Sequence, residues 1–142
     1  MSAEGAERSP ERPSGARTFR FAEMAGDAPG PGLTRRRILG AQAMVAEIRL
    51  EPGAGAPVHA HAEEQIAVVL EGRLRFTLET ADGAAEELIL GPGEAIHLPA
   101  WTRHGAEALE TARVLDIFAP PAERTGLDGR GPRRGQSGAA KS

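Results

Sequence analysis

The chain has 142 residues, of which 40% are hydrophobic and 26% are charged, and these proportions predict one folded domain with a single core. It contains no cysteine, which excludes disulfides, thiolate catalysis and cysteine-bound metal, so a metal would bind through His, Asp, Glu, Asn or Gln. The net charge of −3 gives no broad positive field for nucleic acid, and no apolar run approaches the roughly 20 residues of a membrane span, so neither partner is expected.

Both ends of the chain are polar and rich in Gly, Pro and Arg. Residues 1–17 and 125–142 bury too little apolar surface to offset chain entropy, so this composition predicts disordered tails around a folded domain at residues 18–124. The first residues show no apolar core behind their charges, unlike a secretory signal, and a cytoplasmic location is therefore expected.

Between the tails, short segments of alternating apolar and polar residues are separated by turns. The segment "AMVAEIRL" places Met44, Ala46, Ile48 and Leu50 on one face of a strand, whereas "QIAVVL" is apolar on both faces, as in a central strand. The strands "RLRFTLE", "EELIL", "EAIHLP" and "ARVLDIF" follow, and only "PPAERTGL" favours a short terminal helix. This spacing is typical of an all-β sandwich or small barrel.

The stretch "PVHAHAEEQIAVVLEG", residues 57–72, contains two of the four histidines. His59 and His61 are two positions apart, so on a strand both side chains point the same way. If that face lines a barrel interior, the two imidazoles begin a facial metal site. Surface histidines or hydrogen-bonded core histidines are the alternatives at this point.

Two blocks of this sequence resemble the paired motifs of the cupin superfamily. The matching residues are Gly53, His59, His61, Gln65 and Gly72 in the first block and Gly93, Pro99 and His104 in the second. The resemblance covers roughly residues 33–122. It implies a double-stranded β-helix, a jelly-roll barrel, that binds one metal through side chains from both blocks.

The chain departs from the usual cupin pattern at three positions. Gln65 replaces a glutamate ligand, Trp101 replaces a glycine, and Ala108 replaces an asparagine. A degenerate barrel without metal is one interpretation. The run is also similar to small cupins that use a glutamine ligand, including KdgF-type pectin-degradation proteins. That resemblance implies one divalent ion (Ni, Fe, Zn, Mn, Co or Cu) held by His59, His61, Gln65 and His104.

Asp116 is the first candidate for chemistry, because it interrupts the apolar row of "ARVLDIF". A carboxylate there is costly without a partner, so it is a candidate general base, with a loop-bonded aspartate as the alternative. Resemblance to KdgF-type proteins implies that Asp116 and Phe118 lie in the substrate cavity. Those relatives carry an arginine where Ala122 stands here, and Arg124 is the candidate to replace it.

Two further residues lie near the second block. His97 is two residues before Pro99 and is a candidate proton shuttle or hydrogen-bond donor to the site, with a structural polar residue as the alternative. Trp101 is the only tryptophan. It is a candidate to gate the barrel or to stack on a planar substrate, and packing against a partner subunit is the alternative.

Three functions follow from these residues. The first is a metal-dependent isomerase, tautomerase or lyase without redox chemistry, acting on a small molecule such as a sugar acid, enol or ketone. The second is a dioxygenase with a redox metal, and the third is a barrel that binds a small ligand without catalysis. The apolar outer faces of "QIAVVL" and "ARVLDIF" favour a homodimer.

Overall fold

The computed structural model describes residues 12–128, and this part of the chain is built from β-strands. The strands are β1 (Leu33–Leu39), β2 (Met44–Leu50), β3 (Gly55–His59), β4 (Glu64–Glu71), β5 (Leu74–Glu79), β6 (Ala85–Leu90), β7 (Ala95–Leu98), β8 (Arg103–Ala108) and β9 (Ala112–Ala119). Two 3-10 turns lie at Phe21–Glu23 and Gly126–Asp128. No helix within the described range is long and apolar enough to cross a membrane.

The strands form two sheets in which every pair is antiparallel. The larger sheet has the order β1-β2-β9-β4-β7, and the smaller has the order β3-β8-β5-β6. Strands far apart in sequence, such as β2 and β9, lie side by side, as they do in jelly-roll barrels. The predicted all-β architecture is confirmed, and each strand segment read from the sequence corresponds to a strand.

The core lies between the two sheets. Met44, Ala46, Ile48 and Leu50 are each at most 3% exposed, so the alternation of β2 is as predicted. Residues from the facing sheet, including Phe76, complete the main cluster. The inward rows of both sheets therefore form one largely apolar interior, in which Arg35 of β1 and Asp116 of β9 are polar exceptions.

The outer face of β4 differs from its predicted environment. Ala67 and Val69 are buried in the core, but Ile66 is 38% exposed on the opposite face. β4 is central in the sense that it pairs with both β9 and β7. No second layer within residues 12–128 fully covers this outer face. Burial within a single barrel therefore does not account for its apolar residues.

The segment that follows the last strand contacts the barrel. Residues 125–128, assigned above to the tail, fold back onto the barrel because Arg35 of β1 binds Asp128 and Thr125. The helix expected in "PPAERTGL" is reduced to the single turn Gly126–Asp128. Residues 12–17 are exposed, and the remaining parts of both predicted tails, 1–11 and 129–142, lie outside the described residues.

Candidate metal centre

Three histidines from separate segments meet near one end of the barrel. His59 ends β3, His61 lies in the following loop, and His104 on β8 lies opposite His59 in the strand register. The ring centroids are 4.5 Å (His59 to His104), 5.0 Å (His61 to His104) and 5.4 Å (His59 to His61) apart. One nitrogen of each ring lies within 4.8 Å of the other two, so small side-chain movements would bring all three to one cation.

Backbone carbonyls fix which nitrogen of each ring carries the hydrogen. Every Nδ1 faces a carbonyl oxygen: Pro57 for His59 at 2.8 Å, Glu63 for His61 at 3.0 Å, and Thr102 for His104 at 2.8 Å. A carbonyl only accepts, so Nδ1–H is the donor in each case and Nε2 keeps its lone pair. This arrangement is the one that orients imidazoles as metal ligands.

The protonation of two of these rings is also set by their surroundings. Burial, together with the nearby His59, lowers the pKa of His104 to about 4. Burial lowers the pKa of His59 as well, against the hydrogen bond to Pro57. Both rings are therefore neutral near pH 7, which leaves their Nε2 lone pairs available to a cation.

Gln65 supplies the fourth donor. Its side chain is on the inward face of β4 and the residue is only 7% exposed. The amide nitrogen donates to Asp116 Oδ1 at 3.1 Å, which directs Oε1 towards His61, 3.2 Å from Nε2. With the hydrogen of His61 on Nδ1, these two atoms are both acceptors and cannot bond each other.

The donor set therefore fits a divalent first-row cation. Three imidazole nitrogens and one amide oxygen converge, and a cation beside His61 and Gln65 would satisfy two lone pairs that otherwise face each other. All four donors are neutral, so a bound cation would retain its full formal charge.

Asp116 and Phe118 lie next to these ligands on β9, and both line the cavity. Burial raises the pKa of Asp116 to about 7, and the hydrogen bond from Gln65 opposes this shift only in part. Phe118 is 2% exposed and packs edge-on against His61 with ring centroids 5.8 Å apart. The site thus combines a carboxyl group whose pKa is raised to about 7 with an apolar wall.

The cavity itself is small and mostly apolar. Its volume is about 50 Å³, and His59, Gln65, His104, Asp116 and Thr125 are its side chains with polar ends. The deeper wall consists of aliphatic and aromatic side chains from both sheets, which include Ile48, Leu50, Leu74, Phe76 and Val114. Polar chemistry is confined to the end of the barrel where the histidines meet.

His97 does not belong to this site. It lies on the outer face of β7, 52% exposed, with Nε2 2.6 Å from Glu64 Oε2. The neighbouring Leu98 is 1% exposed and faces the core, so the pleat directs His97 outward. The expectation that His97 serves the cavity as a proton shuttle is therefore wrong.

Trp101 and Arg124 are also outside the cavity wall. Trp101 is 66% exposed, and its contribution to the site is its backbone N–H, which donates to the His61 carbonyl at 2.8 Å. The Arg124 guanidinium donates to the Asp128 carbonyl at 2.7 Å. The indole does not stack inside the cavity, and Arg124 does not replace the arginine that is absent at Ala122.

Sequence reasoning missed the residues that close the cavity. Thr125, Gly126 and Leu127 line it, although their composition is that of a tail. Arg35, which binds this segment, is 3% exposed and faces inward. Its position was readable from the sequence, because Arg35 is in phase with the buried Leu33 on β1; its partner 93 residues away was not.

The cupin domain family matches residues 46–118, which is just over half of the chain. The chain is a cupin. The predicted double-stranded β-helix is thereby confirmed, and the matched region contains all four proposed ligands together with Asp116 and Phe118. Comparison of the sequence with curated proteins gives no significant match.

This small cupin is similar to several solved structures. KdgF from Halomonas sp. is 30% identical with a TM-score of 0.67, over 74% of this chain and 95% of that one. An RmlC-like cupin from Shewanella frigidimarina NCIMB 400 is 29% identical with a TM-score of 0.58, over 66% of this chain and 81% of that one. A single-site variant of oxalate decarboxylase from Bacillus subtilis is 25% identical with a TM-score of 0.64, over 72% of this chain but only 29% of that one.

Proposed function

We propose that this cupin is a metal-dependent enzyme that catalyses a non-redox isomerisation, tautomerisation or lyase reaction on a small oxygenated substrate, such as a sugar acid, an enol or a ketone. The observation that carries the proposal is the position of Asp116, which lies in the cavity and is bonded to Gln65 beside the three histidines. A divalent cation held by the histidines and Gln65 would polarise a substrate oxygen as a Lewis acid.

Asp116 has the properties of a general base and acid in such a reaction. It would take a proton from a substrate carbon or hydroxyl and return it at another atom of the same molecule. Burial raises its pKa to about 7, close to the value at which proton transfer in both directions is efficient near neutral pH. The hydrogen bond from Gln65 would hold the carboxylate in position while the proton moves.

The walls of the cavity restrict the substrate. Phe118 would exclude water from the proton-transfer step. Ala122 is 3% exposed and packs with Met44 and Phe118, so the position where KdgF-type proteins carry an arginine is apolar here. A substrate carboxylate would therefore need another cationic partner, and an enol or ketone without a carboxylate suits this cavity as well as a uronate does.

Oxygen chemistry at a redox metal is the alternative reaction. The four neutral donors supply no anionic ligand to stabilise a higher oxidation state, and this favours the non-redox reaction. A cavity carboxyl group with a pKa raised by burial to about 7 is also a feature of proton transfer rather than of oxygen activation.

The test is turnover under argon by protein loaded with Zn²⁺, which has no redox chemistry. Unsaturated uronates and small keto or enol compounds would be followed by NMR. Replacement of Asp116 by Asn should reduce turnover by about 100-fold or more, as for loss of a general base. Asp82→Asn, the same change in the exposed β5–β6 hairpin, is the matched control. Turnover that requires oxygen, or that survives in Asp116→Asn, would contradict the proposal.

We also propose that two copies of the chain pair through the outer face of the larger sheet. Ile38, Val45, Ile117 and Ile66 form an in-register apolar row across β1, β2, β9 and β4 on that face. Each is only partly buried or exposed in the single chain. Sedimentation velocity should give the mass of a dimer for the native protein and a monomer for Ile66→Glu. A monomeric native protein would contradict this.

A further inference from the structure

The last described segment, residues 123–128, crosses the mouth of the barrel and is called the strap here. Thr125, Gly126 and Leu127 line the cavity directly. Gly126 lies so close to His59 that a Cβ atom at this position would overlap Nε2 and Cε1 of the imidazole. The strap backbone therefore covers the edge of His59 that carries its free lone pair.

One buried arginine holds the strap in place. The Arg35 guanidinium donates to both carboxylate oxygens of Asp128, at 2.7 and 3.0 Å, and to Thr125 Oγ1 at 3.1 Å. Asp27 accepts two further bonds from the opposite side. Arg35 is 3% exposed, so its side of the ion pair is shielded from solvent. Bidentate hydrogen bonds between charged groups are stronger than those between neutral groups.

Besides Arg35, the strap is held by Leu127, which packs against the core cluster, and by few hydrogen bonds. Its own backbone bond, from Asp128 N–H to the Thr125 carbonyl, closes only a local turn. Across the described residues, no backbone–backbone hydrogen bond joins the strap to a strand, and Arg37 reaches it through a side-chain bond to the Glu123 carbonyl. Segments fixed by a few side-chain contacts open at lower free energy than paired strands do.

With the strap in this position, the space inside the cavity is about 50 Å³, which holds a few water molecules. The strap fills part of the space that a substrate next to Nε2 of His59 would need. Movement of the strap would add the space now filled by Thr125, Gly126 and Leu127 and would uncover Nε2 of His59.

We propose that the strap is a latched lid, in which the Arg35–Asp128 pair holds the barrel closed and release of that pair admits metal and substrate. The lid goes beyond the proposed reaction. The measurement of Zn²⁺ loss rests on the proposed metal centre. The measurement of His59 reactivity does not, because the strap covers His59 whether or not a cation binds there.

The latch can be weakened without leaving a buried charge alone. In Asp128→Asn, Arg35 keeps both bonds to Asp27, so the barrel should fold while the strap loses its charged partner. Gly126→Ala acts differently, because the added methyl group would overlap the imidazole of His59, whose hydrogen bond to the Pro57 carbonyl resists rotation of the ring, so the strap is expected to move. Glu71→Gln is the matched control for charge loss, since Glu71 pairs with Arg113 on the outer surface.

Two measurements on the full chain report on the lid. The first is carbethoxylation of His59 by diethyl pyrocarbonate in metal-free protein, with the exposed His97 of the same molecule as internal reference. The second is the rate at which Zn²⁺ is lost to an excess of chelator. Both rates should rise about five- to tenfold in Asp128→Asn and in Gly126→Ala, the effect expected when a shielded charged pair is lost or a clash opens the lid, and should be unchanged in Glu71→Gln.

The two arms separate the possible failures. Equal carbethoxylation of His59 in the native protein and both lid variants would overturn the lid, whatever the metal result. A chain that binds no Zn²⁺ but shows faster modification of His59 in the variants would keep the lid and contradict the proposed metal centre. If Asp128→Asn does not fold, Gly126→Ala decides alone, because it changes no charge.

Discussion

Gln65 and Asp116 are joined by a hydrogen bond of 3.1 Å between the paired strands β4 and β9. The amide group that directs its oxygen towards the histidines is thus oriented by the carboxylate that faces the cavity. This contact would couple the proposed ligand to the proposed acid–base group, so a change at either residue should alter both metal binding and proton transfer.

Replacement of Gln65 by Glu should lower the stability of the metal-free protein and strengthen its binding of Zn²⁺. In metal-free protein a second carboxylate would lie about 3 Å from Asp116, and the free energy of unfolding at pH 8 should fall by about 1–3 kcal/mol because like charges cannot both ionise there. Bound Zn²⁺ should reverse the loss, because a carboxylate binds the cation more tightly than an amide. Urea unfolding with and without Zn²⁺ measures both.

The control for Gln65→Glu is a substitution at the adjacent residue, Glu64. Glu64→Gln also changes the charge by one unit, but Glu64 lies on the outer face beside His97, so stability should stay within about 0.5 kcal/mol. A Gln65→Glu variant whose stability does not depend on Zn²⁺ would contradict the assignment of Gln65 as a ligand.

Asp116→Asn should change the pH dependence of stability in metal-free protein. Burial raises the pKa of Asp116 to about 7, so the folded state holds a proton that the unfolded chain releases above about pH 4, and the free energy of unfolding falls as pH rises to about 7. Burial lowers the pKa of His104 to about 4, which gives the opposite trend: stability rises between about pH 4 and about pH 6.5.

These two trends oppose each other in the native chain, and the variant removes only the first. Stability of Asp116→Asn should therefore rise more steeply with pH across this range than stability of the native protein. Urea unfolding in the presence of a chelator at several pH values gives both profiles. Parallel profiles would show that the carboxyl group is ionised in the fold and is not a neutral-pH acid.

His104→Asn should lower Zn²⁺ affinity by at least about 100-fold, because loss of a ligand costs more than the 10–100-fold typical of groups that only orient ligands. His97→Asn is the matched control, since His97 lies on the outer face of β7 with Glu64. Competition with a chelating dye measures both affinities. Equal losses in the two variants would contradict the three-histidine centre.

The positions of His97 and Asp116 illustrate what strand periodicity can and cannot decide. Asp116 is in phase with Val114 and Phe118, and the structure places all three inward. His97 is out of phase with the buried Leu98, and this phase was available in the sequence. Nearness to the second cupin block favoured the wrong interpretation, whereas the two-residue repeat of a strand gives the correct face.

The strap could not be predicted from the sequence in the same way. Its composition is that of a linker, and it joins the fold through the pair between Arg35 and Asp128, which are 93 positions apart. Local propensity and periodicity contain no information about such a pair. The all-β fold follows from strand alternation and turns, and the proposed ligand set follows from the two cupin blocks, but the position of the strap involves a long-range ion pair.

Trp101 provides a test of backbone strain beside the metal centre. Its φ is 65°, in the left-handed region that side chains with a Cβ rarely adopt, and the indole is exposed. Trp101→Gly should raise the free energy of unfolding by about 0.5–1 kcal/mol, because relief of about 1–2 kcal/mol of strain exceeds the entropy cost of glycine. Trp101→Ala keeps the Cβ and should show no gain. Equal stability of the two variants in urea would mean that the loop around His61 is not strained.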